Sequence, residues 1–197
     1  FVITANGTAA APVRVCGVRS SAGERPIITG ANAVTRKTLV YGGASSAAIQ
    51  ESRSVIMIKA NLVSWTHVPT YIQIDGLAIR SAHPNYKYTD TKGVVQTYTN
   101  FGGCVWIDRG HNITLADNEI SDCTNGVFTK STEDGDFAVV KNLRFAGNYF
   151  HGHGVVGAEG MHSAYIQGSK VVYEFNRFGA LRAGAGGNSI KDRSVGT

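Results

Sequence analysis

Proline and long apolar stretches are scarce in this chain of 197 residues. Only 4 prolines are present, and no apolar run reaches the roughly 18 residues that a membrane-spanning helix needs. Strong helix formers do not gather into a long amphipathic run, which excludes a helical bundle. The length suits one domain with a sizeable core and is too short to favour two. We therefore expect a single domain, residues 1–197, built from short strands and tight turns.

Cysteine is scarce too, with residues only at Cys16, Cys104 and Cys123. Their spacing matches neither a CxxC metal pattern nor an even disulfide framework. Cys104 and Cys123 lie one candidate coil apart, so a disulfide is feasible in an exported protein, and buried free thiols are the alternative. Phosphate-binding loops, dinucleotide fingerprints, nucleophile elbows and HExxH helices are absent, which excludes the enzyme classes built on them.

Glycine and positive charge are abundant by comparison. The chain has 24 glycines, which favour frequent turns, and a formal net charge of +5 with a sequence pI near 9.2. A basic surface attracts anionic partners such as acidic polysaccharide, nucleic acid or anionic lipid. Solubility alone is the alternative explanation of the charge.

Three kinds of short apolar segment recur in the same order from about residue 103 onward. An asparagine stands between the second and third kinds in every round, at Asn118, Asn148 and Asn176, 30 and 28 residues apart. A period of this length is typical of solenoid proteins. The segments are residues 105–108, 126–129, 164–167 and 189–192 for the first kind, 113–116, 143–146 and 171–174 for the second, and 119–121, 149–151 and 177–179 for the third.

Such a repeat folds by stacking, because each coil can bury its apolar face only against its neighbours. We expect the asparagines to adopt the left-handed conformation at sharp corners and to hydrogen-bond to one another along the stack. The sequence therefore predicts an all-β, right-handed parallel β-helix, and a portion of a longer one that continues beyond Phe1 and Thr197. Two insertions, about residues 81–102 and 131–161, are expected to be loops on one face.

Polar side chains are densest in residues 160–168 and 187–194, which the repeat places on stacked coils. Because successive strand residues face opposite sides, core residues such as Ile166 leave their neighbours facing outward. The residues expected to form a catalytic cluster are His162, Tyr165, Lys191 and Arg193. The residues expected to bind substrate are Asp108, Lys130, Gln167 and Arg182. The alternative is that these charges form ordinary surface ion pairs and that His162 caps a turn.

Metal binding has weaker support in the sequence. His151 and His153 have a spacing that a metal site on a strand could use, but no third ligand is fixed by the pattern. Calcium could be held by Glu133, Asp134 and Asp136, although that segment lacks the ligand spacing of an EF-hand loop. The alternative is a solvated acidic turn, so no metal site is predicted and Ca²⁺ is kept only as a candidate cofactor.

The coil pattern of apolar strand, Asn-aromatic corner and apolar strand resembles the pectate-lyase-like superfamily over residues 50–197. Residues 162–194 are also similar to exported bacterial β-helix proteins described as polysaccharide lyases. The resemblance implies that Lys191 is the base, that Arg193 neutralises a uronate carboxylate, and that Tyr165 or His162 protonates the leaving oxygen. The calcium-binding triad of alginate and chondroitin lyases does not align with this chain, and the paired aspartates of pectin hydrolases are missing beside residues 151–154.

The expected function is therefore that of an exported or cell-surface protein that binds an acidic polysaccharide and cleaves it by β-elimination. Nucleic acid and a membrane span are not expected. The alternative is a non-catalytic adhesin, fibre component or tailspike-like module. In that case the open coil ends could template self-assembly.

Overall fold

A computed structural model describes residues 1–41 and 47–196, which are nearly all β structure. Three sheets, here called sheets 1, 2 and 3, contain parallel strands from successive coils. Sheet 1 consists of Val2–Ile3, Ser54–Ile58, Gly103–Ile107, Asn125–Thr129, Ala164–Ile166 and Ile190–Asp192. Sheet 2 consists of Val13–Cys16, Thr70–Asp75, His111–Ala116, Lys141–Ala146 and Ser169–Glu174. Sheet 3 consists of Ile27–Thr29, Ala78–Arg80, Glu119–Ser121, Tyr149–His151 and Arg177–Phe178.

The chain visits sheets 1, 2 and 3 in turn and then begins the next coil, so the molecule is a parallel β-helix, as the sequence predicts. Pairing is in register from coil to coil: Ile56 pairs with Val105, and Val105 pairs with Val127. Each coil is thereby a rung of the stack. Every strand in the middle coils has its backbone bonded on both edges, which satisfies the polar groups that an isolated coil would leave open.

The core consists of like residues stacked at the same position of successive coils. In sheet 3, Phe150 pairs with Phe178 with ring centroids 4.9 Å apart. In sheet 2, Phe145 stacks on Tyr173 at 5.2 Å. Full burial of one such side chain contributes about 1.5–3 kcal/mol, so the repeated apolar positions are the main source of stability.

The asparagines of the repeat form a buried ladder between sheets 2 and 3, as predicted. The Asn118 amide nitrogen Nδ2 donates to Asn148 Oδ1 at 3.1 Å, and Asn148 Nδ2 donates to Asn176 Oδ1 at 2.9 Å. Each of these nitrogens also donates to a main-chain carbonyl of the preceding coil, Ile74 for Asn118 and Leu115 for Asn148. The ladder ties three coils together inside the core.

The predicted backbone conformation of these asparagines is wrong. The left-handed residue is the one before each ladder position, and these residues are Gly76, Asp117, Gly147 and Phe175, with φ between 50° and 69°. The asparagine itself is free to point its amide along the stack because its neighbour makes the corner. Leu77 occupies the ladder position of an earlier coil and donates its backbone N–H to Asn118 Oδ1.

The two predicted insertions are more ordered than simple loops. Residues 81–102 contain the strands Lys87–Thr89 and Val95–Thr97, which form an antiparallel hairpin and join Ala33–Val34 in a fourth sheet. The range 131–161 includes two coil strands, so the extra residues form separate loops on either side of them, the first with a short 3₁₀ helix at Asp136–Ala138. The short helix Ala47–Glu51 precedes the second coil.

A disulfide joins Cys104 to Cys123, the first of the two alternatives left open by the sequence. It connects the sheet 1 strand of one coil to the corner where that coil ends, and both residues are fully buried. Cys16 is a free, exposed thiol. No helix within residues 1–41 and 47–196 is long and apolar enough to cross a membrane.

Candidate functional site

The outer face of sheet 1 carries an aromatic row that runs along the helix axis. Register places Met57, Trp106, Phe128, Tyr165 and Lys191 at equivalent positions of successive coils. Trp106 stacks on Phe128 with ring centroids 4.1 Å apart, and Phe128 meets Tyr165 edge-on at 5.1 Å. The row is buried at Trp106 and Phe128 but half-buried at Tyr165. A ligand from solvent therefore meets the row at its Tyr165 end.

A polar row lies beside the aromatic row, two residues further along each strand. It consists of Asp108, Lys130, Gln167 and Arg193, each of which directly follows a strand position paired with a neighbouring coil. Lys130 Nζ lies 3.7 Å from Asp108 Oδ1. Gln167 is held by its backbone, since its N–H donates to Thr129 Oγ1 at 2.6 Å. Three of the residues expected to bind substrate, Asp108, Lys130 and Gln167, therefore share one face with Arg193, and their role in binding stays a prediction.

The predicted catalytic residues come together around Tyr165. Lys191 Nζ lies 5.2 Å from the centroid of the Tyr165 ring, and Arg193 Nη1 lies 3.4 Å from the Tyr165 hydroxyl oxygen. The hydrogen bond from Arg193, with the charge of Lys191 acting in the same direction, lowers the pKa of Tyr165. A phenol in this setting gives up its proton more readily than an isolated tyrosine.

His162 is part of this cluster but is inaccessible. Its ring lies edge-on to Tyr165 at 5.3 Å, yet the residue is only 1% exposed. Its Nδ1 accepts the backbone N–H of Asn188 at 2.9 Å, so the proton of the neutral ring lies on Nε2, which has no partner among the described residues. Burial, and secondarily Lys191, lowers the pKa of His162. The ring is therefore a neutral support behind Tyr165.

Arg182, the remaining predicted binding residue, is not brought to this face. It pairs with Asp122 at the corner that follows sheet 3 and donates from Nε to the Gly154 carbonyl at 3.2 Å. The same Asp122 accepts hydrogen bonds from Tyr86 and Ser81. Arg182 thus belongs to a separate group that joins four successive coils, and its participation in substrate binding stays a prediction.

The sequence analysis missed a basic cavity on the same face of sheet 1. This cavity, of about 120 Å³, is lined by residues from four separate segments, including Arg53, Lys59, Trp65, Arg109 and Lys130. A wider hollow of about 460 Å³ adjoins it and shares Arg53 and Lys130, with Phe101 and Phe128 in its wall. A third cavity, of about 370 Å³, lies beneath Tyr41, Tyr88 and Tyr98. No spacing in the sequence signals these groupings, because they arise from loops that fold over the sheet.

The candidate metal ligands do not converge. Asp136 pairs with Lys141, and Asp134 accepts from Thr132, while His151 pairs with Glu119 at 3.1 Å. Within residues 1–41 and 47–196 no group of three or more His, Cys, Asp or Glu side chains could hold a metal ion. Glu133, Asp134 and Asp136, the residues considered for Ca²⁺ from the sequence, do not form such a group.

No family model, curated protein or solved structure matches this chain. The fold therefore defines the class to which the protein belongs, that of parallel β-helix proteins. Its function has to be argued from the outer face of sheet 1.

Proposed function

We propose that this protein binds an acidic polysaccharide along the outer face of sheet 1 and cleaves it by β-elimination at Tyr165. The observation that carries the proposal is the position of two basic side chains, Lys191 and Arg193, against one accessible tyrosine. Elimination next to a carboxylate needs a base, a proton donor and a charge that neutralises the carboxylate as its α-proton leaves. The cluster supplies one residue for each task.

Lys191 is the base and Arg193 the neutralising group, because a guanidinium stays protonated in proteins whereas an amine can release its proton. Neutral Lys191 takes the proton from the carbon α to the carboxylate. The electron pair left behind forms a carbon–carbon double bond as the glycosidic carbon–oxygen bond breaks, and Tyr165 protonates the departing oxygen. A proton passing from Lys191 to the Tyr165 phenolate restores both groups, and no water is consumed.

The buried position of His162 supports Tyr165 as the proton donor rather than His162. Tyr165 reaches solvent, whereas His162 lies behind it at 1% exposure. We therefore assign the donor role to Tyr165 and a positioning role to His162. Lys130 and Gln167, on the polar row next to Tyr165, are placed to contact neighbouring sugar units.

Replacement of Lys191 by Ala tests the proposal. The full chain is incubated with alginate, pectate, chondroitin and hyaluronan, and unsaturated product is followed by its ultraviolet absorbance. We expect Lys191→Ala to abolish product formation, because general-base catalysis contributes about 10²–10⁴-fold. Lys170→Ala, which removes an exposed lysine from sheet 2, is the matched control and should keep the wild-type rate. An equal rate in Lys191→Ala and wild type would reject the assignment.

A non-catalytic binding module, such as an adhesin, fibre component or tailspike-like protein, is the second candidate. It is favoured by the position of the Tyr165 cluster, which borders none of the three cavities described above and lies on the surface, with Lys191 and Arg193 exposed. Folded protein that binds one of these polymers but releases no unsaturated product from any of them would establish this alternative.

A further inference from the structure

The basic cavity beside Asp108 concentrates positive charge in a partly closed space. Among the described residues that line it, four carry positive charge, Arg53, Lys59, Arg109 and Lys130, against the single carboxylate of Asp108. Arg109 is nearly removed from water, at 4% exposed. Buried charges are costly unless an opposite charge compensates them. This imbalance is the first sign of a site for an anion.

Arg109 is held in a fixed orientation. Its guanidinium carbon lies 4.1 Å from the centroid of the Trp65 ring and 4.8 Å from that of Phe137, and Nη1 donates to the Trp65 carbonyl. The two rings lie at a steep angle to each other, 72° between their planes, and both pack against the guanidinium, so its orientation is restricted. No carboxylate among the described residues lies within ion-pair distance of Arg109. A planar donor fixed in this way suits a carboxylate or sulfate oxygen.

Lys59 is affected by the positive charges of its neighbours in this cavity. It donates to the Tyr41 carbonyl and to Gln50 Oε1. Burial lowers the pKa of Lys59, and Arg53 and Arg109 act in the same direction against the opposing effect of Asp108. An anion in the cavity would relieve this repulsion.

The size and position of the cavity fit one acidic group of a longer ligand. Its volume of about 120 Å³ exceeds the space of a single water several-fold. Trp65, which is 60% exposed, borders it and offers an apolar surface to a sugar ring. Asp108 is two coils from Gln167, the neighbour of Tyr165, which corresponds to about 10 Å at the usual strand spacing.

We infer that this cavity is a preformed anion-binding subsite, in which Arg109 and Lys130 bind a carboxylate or sulfate group while Trp65 packs against the sugar that carries it. The ligand named here rests on the proposed function, but the site itself does not depend on cleavage. It would hold the polymer about two coils away from Tyr165.

Calorimetric titration of the folded wild-type chain with sodium sulfate, D-glucuronate and D-glucose tests the inference. We expect both anions to bind and the neutral sugar not to bind, since charge is the main attraction. Tighter binding of glucuronate would indicate a uronate polymer, and tighter binding of sulfate a sulfated one. Absence of binding by both anions would overturn the inference.

Single substitutions test whether the anion binds in this cavity. Lys130→Met, at a residue whose side chain is 48% exposed and tolerates change, should weaken anion binding about tenfold. Arg109→Met should weaken it further, but the loss of a buried residue could unfold the protein, so Lys130→Met carries the test. Lys170→Met is the control and should bind as wild type does. Equal affinities for Lys130→Met and Lys170→Met would place the anion elsewhere and refute the site.

The outcome can be separated from that of the proposed function. Anion binding without polymer cleavage would reject the lyase assignment and keep the subsite. Cleavage without anion binding in this cavity would keep the lyase assignment and reject the subsite.

Discussion

We predict that replacing Asn148, in the middle of the asparagine ladder, strongly lowers the free energy of unfolding. This side chain is 1% exposed and takes part in four hydrogen bonds. Its Oδ1 accepts from the backbone N–H and from Nδ2 of Asn118, both at 3.1 Å, and its Nδ2 donates to the Leu115 carbonyl and to Asn176 Oδ1. Asn148→Ala removes all four at once and leaves their partners buried.

The expected loss follows from these contacts. A hydrogen bond within a protein contributes about 1 kcal/mol net, so four sum to about 4 kcal/mol. Unsatisfied partners can only add to this figure, because a buried donor or acceptor without water or protein partners is unfavourable. Since natural domains are stable by about 5–15 kcal/mol, the variant should lose a large share of its free energy of unfolding.

Urea unfolding followed by circular dichroism measures the effect. Asn100→Ala, at an exposed asparagine in the loop after the hairpin, is the matched control and should change the free energy of unfolding by less than about 0.5 kcal/mol. Asn176→Ala, at a half-buried position of the ladder, should cost less than Asn148→Ala. A loss below about 1 kcal/mol for Asn148→Ala would show that the ladder is not the support described here.

Two further predictions concern the region around Cys123. The Cys104–Cys123 disulfide closes a loop of 19 residues, so its reduction should lower the free energy of unfolding by about 3 kcal/mol. Urea titrations with and without reductant measure this loss. An unchanged midpoint of unfolding would contradict the prediction. Burial lowers the pKa of His153 to about 4, below its unfolded value of 6.5. The unfolded state therefore gains the proton first as the pH falls, and stability should drop by about 2 kcal/mol between about pH 7 and about pH 5. His153→Gln should flatten that dependence, and a wild-type profile in this variant would assign it to other groups.

The fold could be predicted from the sequence because a stack of coils is nearly one-dimensional. Three apolar segments and one asparagine per round suffice to define a coil, and the coils then pack only on their neighbours. The corner conformation could not be predicted in the same way. Its left-handed residue precedes the asparagine and varies from Gly147 to Asp117 to Phe175, so no residue type marks it.

In the candidate site, too, residues on strands could be predicted from the sequence and residues on loops could not. Alternation along a strand predicts Tyr165 and Lys191 on one outer face, and the structure pairs these two residues directly. The face follows from the strand period of two. Arg182 and Arg109 lie outside regular strands, and the paths of their loops leave no periodic trace in the sequence.

The stack also explains how a surface cluster could act on a long ligand. Hydrogen-bonded strands and the asparagine ladder fix the distance between successive coils, and therefore the distance from Tyr165 to the basic cavity. Phe101 packs edge-on against Trp106 and Phe128 and covers the row between these two places, while remaining 39% exposed. A polymer would thus contact a rigid surface with anchoring groups at set intervals, and little ordering of the protein would be needed on binding. Such preorganisation would serve a lyase and a binding module alike, so the reactivity of Tyr165 with Lys191 is the feature that separates the two.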